Sequence, residues 1–387
     1  MGKRELVLVL AFAAVGAVLY QFTAPPAPPG ASSSGGGVFA RIQRAIRGRP
    51  VHASAETKRT DAVDPSLTEL RVKVSSAGVT VVGEDRTDVA TTMTVDSDGV
   101  DAAEADRLAR ATTLRVDRAG TGLRLGIDFP DDGLQRATLS IRVPRRFIVR
   151  VDEKRGALDV QHVASVDVKG NRGESRLSDI DGEIALTHRG SALSIAGAGS
   201  LRLTASGADA HVSGIRGSAS VDVAGSSIEL SDVRGPLDVR SRNSDIRLRD
   251  TKALQPPLRL DMQSGQLDVE GLQTDARIDG RNTEIRIVLA RAVALTVYDT
   301  DDSITLVAPP DGFTLDAIAT NASLSIDDGQ GNGVAVVKAA DEREQRASGA
   351  VRGGGPSIML RNTGGDISIR KHEQKEKEKE KEKEKEK

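Results

Sequence analysis

The stretch that decides the fold is SSIELSDVRGPLDVRSR, residues 226–242. It holds two apolar-polar-apolar triplets, Ile228–Leu230 and Leu237–Val239, separated by a turn at Gly235. Alternation with a period of two is typical of a strand with one buried face. The stretch therefore predicts two short strands joined by a turn.

The same triplet recurs along the chain. One series of triplet ends is Leu177, Ile195, Val212, Leu230, Leu248, Val269, Ile287, Leu306 and Ile326, and a second is Leu186, Leu203, Val221, Val239, Leu260, Ile278, Val297 and Leu315. Within each series the spacing is about 18 residues, which indicates stacked equivalent units. One unit cannot bury its own apolar face, whereas a stack of strands about 4.8 Å apart can.

We therefore predict an all-β chain whose residues 158–371 form a β-solenoid. It would resemble a parallel β-helix, with two short strands in each coil of about 18 residues. An antiparallel meander or sandwich with hairpins every nine residues is the alternative. The longer gap between Leu248 and Val269 contains Pro256 and Pro257. We interpret it as a loop on one coil, since proline is a poor residue for a central strand.

Composition excludes several classes of function. The formal net charge of −2 lacks the excess of basic residues that is typical of nucleic-acid-binding proteins. The absence of cysteine excludes disulfides, thiolate metal sites, a cysteine nucleophile and a lipidated cysteine anchor. With 2% aromatic residues, the core must consist of Val, Leu, Ile and Ala.

The N-terminal region predicts a membrane tether. Lys3 and Arg4 precede the apolar run 6–22, so residues 1–22 are expected to be an uncleaved signal anchor or transmembrane helix with its N-terminus in the cytoplasm. A cleaved signal peptide is the alternative and would make the protein secreted. Residues 23–66 are expected to be a flexible linker that includes a short basic amphipathic segment at 38–49 and a disordered stretch at 50–66.

Residues 67–157 predict an N-terminal β cap for the first coil. This region holds one helix candidate at 101–113, with Asp101 as its N-cap. A cap is expected because an open strand edge invites pairing with another chain. At the other terminus, the Lys/Glu alternation in 372–387 predicts a disordered tail.

A family resemblance appears at VPRRFIVRVDEKRGALDVQHV, residues 143–163. The segments SDIDGEIAL, SDVRGPLDV and GGDISI are similar to the same type of repeat. Over 67–371 the chain resembles the bacterial putative-adhesin family of β-strand-repeat domains, a domain of unknown function. That resemblance implies a repeat architecture and transfers no catalytic residues. The chain departs from the usual glycine before a strand at Ser244 and Thr283.

The titratable residues give no convergent site. We expect the histidines to lie on the surface, with His162 and His188 on opposite faces. The aspartates of two clusters are expected to lie in turns; they are Asp299, Asp301, Asp302, Asp327 and Asp328. Sugar-binding sites present aromatic platforms, and only Tyr298 and Phe313 are available between 150 and 371. No catalytic, cofactor-binding or metal-binding residue is predicted.

These patterns favour a non-enzymatic, membrane-tethered, extracytoplasmic repeat protein that acts as an adhesin or envelope scaffold. The alternatives are a self-assembling structural or envelope-signalling module, and a carbohydrate-active β-helix enzyme. The membrane is the expected partner of the N-terminal helix. A further partner is expected to be a protein or a surface polymer, and self-association is an open alternative. Nucleic acid is not expected as a partner.

Overall fold

A computed structural model describes residues 51–130, 135–152, 155–327, 334–339 and 343–371. The predicted anchor, the segment at 38–49 and the Lys/Glu tail lie outside these residues. In the described part the chain is all-β with one α-helix, which confirms the predicted class. The helix, α1, spans Ala102–Ala111. The strands are β1 Val51–Ala62, β2 Glu69–Lys73, β3 Ala77–Glu84, β4 Asp88–Gly99, β5 Thr113–Ala119, β6 Gly122–Asp128, β7 Gln135–Pro144, β8 Ile148–Asp152, β9 Leu158–Gln161, β10 Ser165–Asn171, β11 Ser175–Arg189, β12 Ala192–Ser206, β13 Asp209–Ile215, β14 Ala219–Ala224, β15 Ser227–Val233, β16 Leu237–Arg249, β17 Leu258–Leu272, β18 Ala276–Leu289, β19 Leu295–Thr300, β20 Ile304–Val307, β21 Phe313–Thr320, β22 Leu324–Asp327, β23 Val337–Lys338, β24 Glu344–Val351, β25 Ser357–Thr363 and β26 Ile367–Arg370.

The strands form two long parallel ladders, which we call ladder A and ladder B. Strands β11, β12, β16, β17 and β18 contribute one half to each ladder. In spatial order ladder A contains β6, β2, β8, β10, β11, β12, β14, β16, β17, β18, β19, β25 and β21. Ladder B contains β7, β3, β9, β11, β12, β13, β15, β16, β17, β18, β20, β26 and β22.

The register follows the predicted period through the centre of the chain. Leu230 lies opposite Leu248, and Leu248 lies opposite Val269. Each of these three side chains is at most 2% exposed. Successive side chains of a strand point to opposite faces, so residues in register on neighbouring strands share the buried face. Among the described residues from 155 to 307, the strand pairs joining one period to the next are parallel, which an antiparallel meander does not provide. The extra residues before β17 form a loop that leaves this register unchanged, as predicted.

One corner of the stack explains the departure at Ser244 and Thr283. The Ser244 hydroxyl donates to the carbonyl of Arg242 at 2.9 Å and accepts the backbone N–H of Ser226, one sequence period earlier, at 3.1 Å. The Thr283 hydroxyl donates to the carbonyl of Arg281 at 3.1 Å. A buried backbone group without a partner is costly, so these hydroxyls satisfy backbone groups at the two positions where glycine was expected.

The N-terminal end of the stack does not follow chain order. Strand β2 lies between β6 and β8, and β3 lies between β7 and β9. The pair formed by β2 and β3 is thus inserted between two pairs that follow it in the sequence, β6 with β7 and β8 with β9. Outside it, β5 pairs antiparallel with β6, and β4 pairs antiparallel with β7. The predicted helix is present in this region as α1, and its predicted N-cap Asp101 accepts the Glu104 N–H at 2.8 Å.

The C-terminal end shows a second insertion. Strand β25 lies between β19 and β21, and β26 lies between β20 and β22. Leu306 therefore faces Ile369, and Ile369 faces Ile326. The predicted direct step from Leu306 to Ile326 is wrong, because the last strand pair of the chain separates them.

Two connections cross tightly where this insertion is made. A Cβ at Gly312 would lie 2.5 Å from the carbonyl oxygen of Arg352 and 2.6 Å from that of Gly354. The Arg352 guanidinium donates to the carbonyl of Pro309 at 2.5 Å. Glycine at position 312 thus lets the two backbones pass in contact.

The stretch expected to be disordered before residue 66 contains a strand. Strand β1, Val51–Ala62, pairs with β4. Most of its side chains are exposed. Because an edge strand of this kind buries no apolar face, the sequence shows no alternation there.

Candidate functional site

The histidines do not converge in the described part of the chain. His162 lies 3.6 Å from Asp179, and His211 lies 3.6 Å from Glu229. No group of three or more metal-ligating side chains occurs among the residues described. His188 corrects the expectation of surface histidines, because its side chain is inside the stack and 1% exposed.

His188 belongs to a buried polar cluster. Ser175 Oγ lies 3.3 Å from His188 Nδ1, and Asn171 Nδ2 donates to Ser175 Oγ at 2.6 Å. Burial lowers the pKa of His188, so the neutral imidazole is favoured. A hydroxyl beside an imidazole can form a nucleophile and base, but all three side chains are sealed in the interior.

The first aspartate cluster divides between the interior and a turn. Asp301 has φ 75° and lies in the turn after β19, as expected. Asp299 does not lie in a turn. It is 3% exposed and faces the interior at the end of β19.

The outward side of ladder A presents an exposed aromatic ring. Tyr298 is 37% exposed, and among the described aromatic residues only this one is classed as exposed. Phe313, the other aromatic available to the repeats, is buried. We call the surface formed by Arg277, Asp279, Tyr298, Met359 and Arg361 the Tyr298 patch.

Contacts within the Tyr298 patch hold its polar groups in fixed positions. The Arg277 guanidinium carbon lies 5.2 Å from the centroid of the Tyr298 ring. The same guanidinium donates to Asp279 through two hydrogen bonds of 2.8 Å. The Tyr298 hydroxyl donates to Met359 Sδ at 3.5 Å. A cation held over a tyrosine face and bound in a fork to a carboxylate is a pre-organised arrangement.

An ion-pair group borders the patch. Arg361 Nη2 lies 2.5 Å from Asp316 Oδ2, and its Nη1 donates to the Asp316 carbonyl at 2.7 Å. Arg346 Nη2 lies 3.5 Å from the other carboxylate oxygen of Asp316. The patch therefore combines an exposed ring and a partly buried thioether with charged groups at its rim.

Insertion of β25 brings the members of the patch together. Arg277 and Asp279 come from β18, and Tyr298 comes from β19. Met359 and Arg361 come from β25, whose residues lie directly opposite those of β19. Sequence alternation marks Tyr298 as outward, but it gives no signal that Met359, 61 residues away, is its neighbour.

Comparisons with known proteins give similarity at a very low level. No protein-family profile and no curated protein matches the chain. Among solved structures, a putative cell adhesion protein from Clostridium sporogenes is 9% identical, with 82% of this chain and 100% of that chain covered and a TM-score of 0.18. A putative adhesin from Parabacteroides distasonis is 10% identical, with 82% and 97% covered and a TM-score of 0.28. A putative lipid binding protein from the same species is 10% identical, with 81% and 96% covered and a TM-score of 0.26.

Within residues 51–371, where described, no helix has the length and apolar character needed to cross a membrane. The anchor predicted at 1–22 lies outside that part.

Proposed function

We propose that the protein is a non-enzymatic, membrane-tethered β-solenoid that binds a protein partner outside the cytoplasm through the Tyr298 patch. The solenoid interpretation is supported by the parallel register, which repeats at the period of the sequence triplets. The binding role rests on one observation, the exposed Tyr298 ring between Arg277 and Met359.

The composition of the patch favours a protein over other ligands. Tyrosine, methionine and arginine are enriched in protein interfaces, and tyrosine and arginine dominate their binding energy. Ladder A offers a surface of stacked strands around the patch, as a protein partner requires. The complementary surface would present an apolar area for the exposed part of the Tyr298 ring and polar groups for the Arg277–Asp279 and Arg361–Asp316 ion pairs.

The absence of enzymatic activity is part of the proposal. The serine–histidine pair and Asp299 are buried, which keeps them from a substrate at the surface. We expect no hydrolase or lyase turnover across a polysaccharide and ester panel. Turnover that a single Asp→Asn change abolishes would contradict this part.

Site-directed photo-crosslinking tests the binding role. A photoreactive phenylalanine analogue would replace Tyr298 in the full chain in its native membrane, and in a matched control Glu229 on ladder B. We expect a crosslinked protein from position 298 and none from position 229. With that protein purified, Tyr298→Ala should weaken binding at least tenfold, and Tyr298→Phe should keep most of it because the ring remains.

Three outcomes would overturn the binding proposal. They are equal crosslinking from both positions, unchanged affinity of Tyr298→Ala, and glycan binding by the full chain that Tyr298→Ala abolishes without a protein partner. The tether has a separate test. Resistance to alkaline carbonate extraction and a mass that includes Met1 are expected, whereas a mature N-terminus after residue 24 would show secretion.

A further inference from the structure

Asp299 is a buried carboxyl at the contact between β19 and the inserted β25. Asn362 lies opposite Asp299 on β25, and Gly280 of β18 lies against its carboxyl group on the other side. Asp299 is 3% exposed and Asn362 2% exposed. The carboxyl group therefore lies in the interior, on the strand that pairs directly with β25.

The space for this carboxyl comes from Gly280. A Cβ at position 280 would lie 2.3 Å from Asp299 Oδ1. Asp299 Oδ2 accepts the backbone N–H of Asp302 at 3.3 Å, but Oδ1 has no hydrogen-bond partner among the described residues. A buried carboxylate oxygen without a donor is unfavourable, whereas a protonated carboxyl carries less charge into the interior.

The groups that pack around Asp299 do not neutralise it. From β18 and its corner they are Gly280, Thr283 and Ile285, all uncharged. From β25 the ladder neighbour is the uncharged Asn362, and the charged groups of the adjoining corners are Asp301, Asp302 and Asp366. Among described residues Asp299 forms no ion pair. Burial is the main cause that raises the pKa of Asp299 to about 7, and it outweighs the backbone N–H groups of Asp302, Thr300 and Thr283, which lower that pKa. The charge of Asp302 acts in the same direction as burial.

Asn362 makes the inserted strand pair sensitive to this charge. Its Nδ2 donates to the Asp302 carbonyl at 2.6 Å, so the amide bridges the two coils. Its Oδ1 has no donor among the described residues. Ionisation of Asp299 would place a charge in a dry interior, and departure of β25 would admit water to the carboxylate.

We propose that Asp299 is a pH-sensitive lock, which holds β25 and β26 in the stack when protonated and loosens them when ionised. Because β25 supplies Met359 and Arg361, the lock also regulates the Tyr298 patch. That last step alone rests on the proposed function.

The direction in which docking of β25 and β26 changes with pH follows from proton linkage. The docked strand pair holds the Asp299 proton up to a pKa of about 7, whereas a solvent-exposed aspartate loses it near the ordinary value of 3.8. Docking is favoured fully below pH 4 and weakens as pH rises to about 7. Its equilibrium constant should fall roughly tenfold for each pH unit in that window and stay level above it.

Amide hydrogen exchange of the full chain tests the lock between pH 5 and 8, after correction for intrinsic exchange. Relative to β14 in the same molecule, protection of residues 357–370 should fall about a hundredfold from pH 5 to 7. Asp299→Asn should remove this slope. Asp261→Asn, an exposed carboxylate on β17, should leave the slope unchanged.

A level wild-type profile overturns the lock, and so does a slope that persists in Asp299→Asn. If Asp299→Asn does not fold, the wild-type ratio of residues 357–370 to β14 decides alone. Failure of the two proposals is distinguishable. A pH slope without crosslinking from position 298 refutes the binding role only, and crosslinking without the slope refutes the lock only.

Discussion

The centre of the molecule and its C-terminal end use the same triplet but stack it differently. From β13 to β18, strands one period apart in sequence are neighbours in space. Beyond β20 the neighbour is β26, which lies about 60 residues further along the chain. The triplet thus specifies which side chains face inward, while the order of the coils depends on the connections between them.

The largest loss of stability is expected when an unpaired charge is introduced into the central ladders. Leu230→Asp would place a carboxylate in a dry interior between β13 and β16, and we expect a loss of several kcal/mol in the free energy of unfolding. Urea denaturation measures it. The neighbouring Glu229→Ala, on the outward side, should change stability by about 0.5 kcal/mol or less. Equal effects of the two substitutions would mean that the register is wrong by one residue.

The same change in the inserted coil should have a more local effect. Leu360→Asp also introduces a buried charge, but stacked repeats depend on contacts with their neighbours. Hydrogen exchange should show lost protection in 313–370 and retained protection in β13 to β15. Loss of protection throughout the chain would show that the end and the centre unfold as one unit.

The chain crossing at Gly312 should contribute a smaller amount. In Gly312→Ala the new Cβ would contact the backbone of Arg352 and Gly354, and we expect a loss of about 1–3 kcal/mol. Thermal unfolding of the full chain measures it. The control is Gly78→Ala, where the nearest atom to the new Cβ is 3.6 Å away. A neutral Gly312→Ala would refute the tight crossing.

The smallest effect is expected at a corner. Ser244→Ala leaves the Ser226 N–H without its acceptor, which should cost about 1–2 kcal/mol. Ser220→Ala, at an exposed position on β14, should change stability little. Equal stability of the two variants in urea denaturation would remove the proposed role of the corner hydroxyls.

Sequence reasoning predicted the central ladders because every coil there buries the same triplet. It did not predict the insertion of β2 with β3 or of β25 with β26. The spacing of inward residues is similar whether a strand pair is added at the end of the stack or placed between two other pairs. For His188 and Asp299 a signal was present. Each continues an inward alternation, after Ile184 and Leu186 in one case and after Leu295 and Val297 in the other. Their polar character led to a surface assignment that the alternation opposes.

The candidate site was predictable only in part. Tyr298 is one of two aromatic residues in the repeats, and its outward direction follows from the buried Val297 beside it. The contact with Met359 requires β25 to lie beside β19, and the local pattern does not specify that contact.

The central claim, that the last strand pair is inserted, can be tested by disulfide formation because the chain has no native cysteine. Thr305 lies opposite Ser368, and Ser368 lies opposite Ser325. Cysteine pairs at 305/368 and at 368/325 should therefore crosslink under mild oxidation. The pair at 305/325, separated by two strand spacings of about 4.8 Å each, should not, since bridged Cα atoms lie within about 7 Å. Crosslinking at 305/325 without crosslinking at 305/368 would contradict the insertion and restore stacking in chain order.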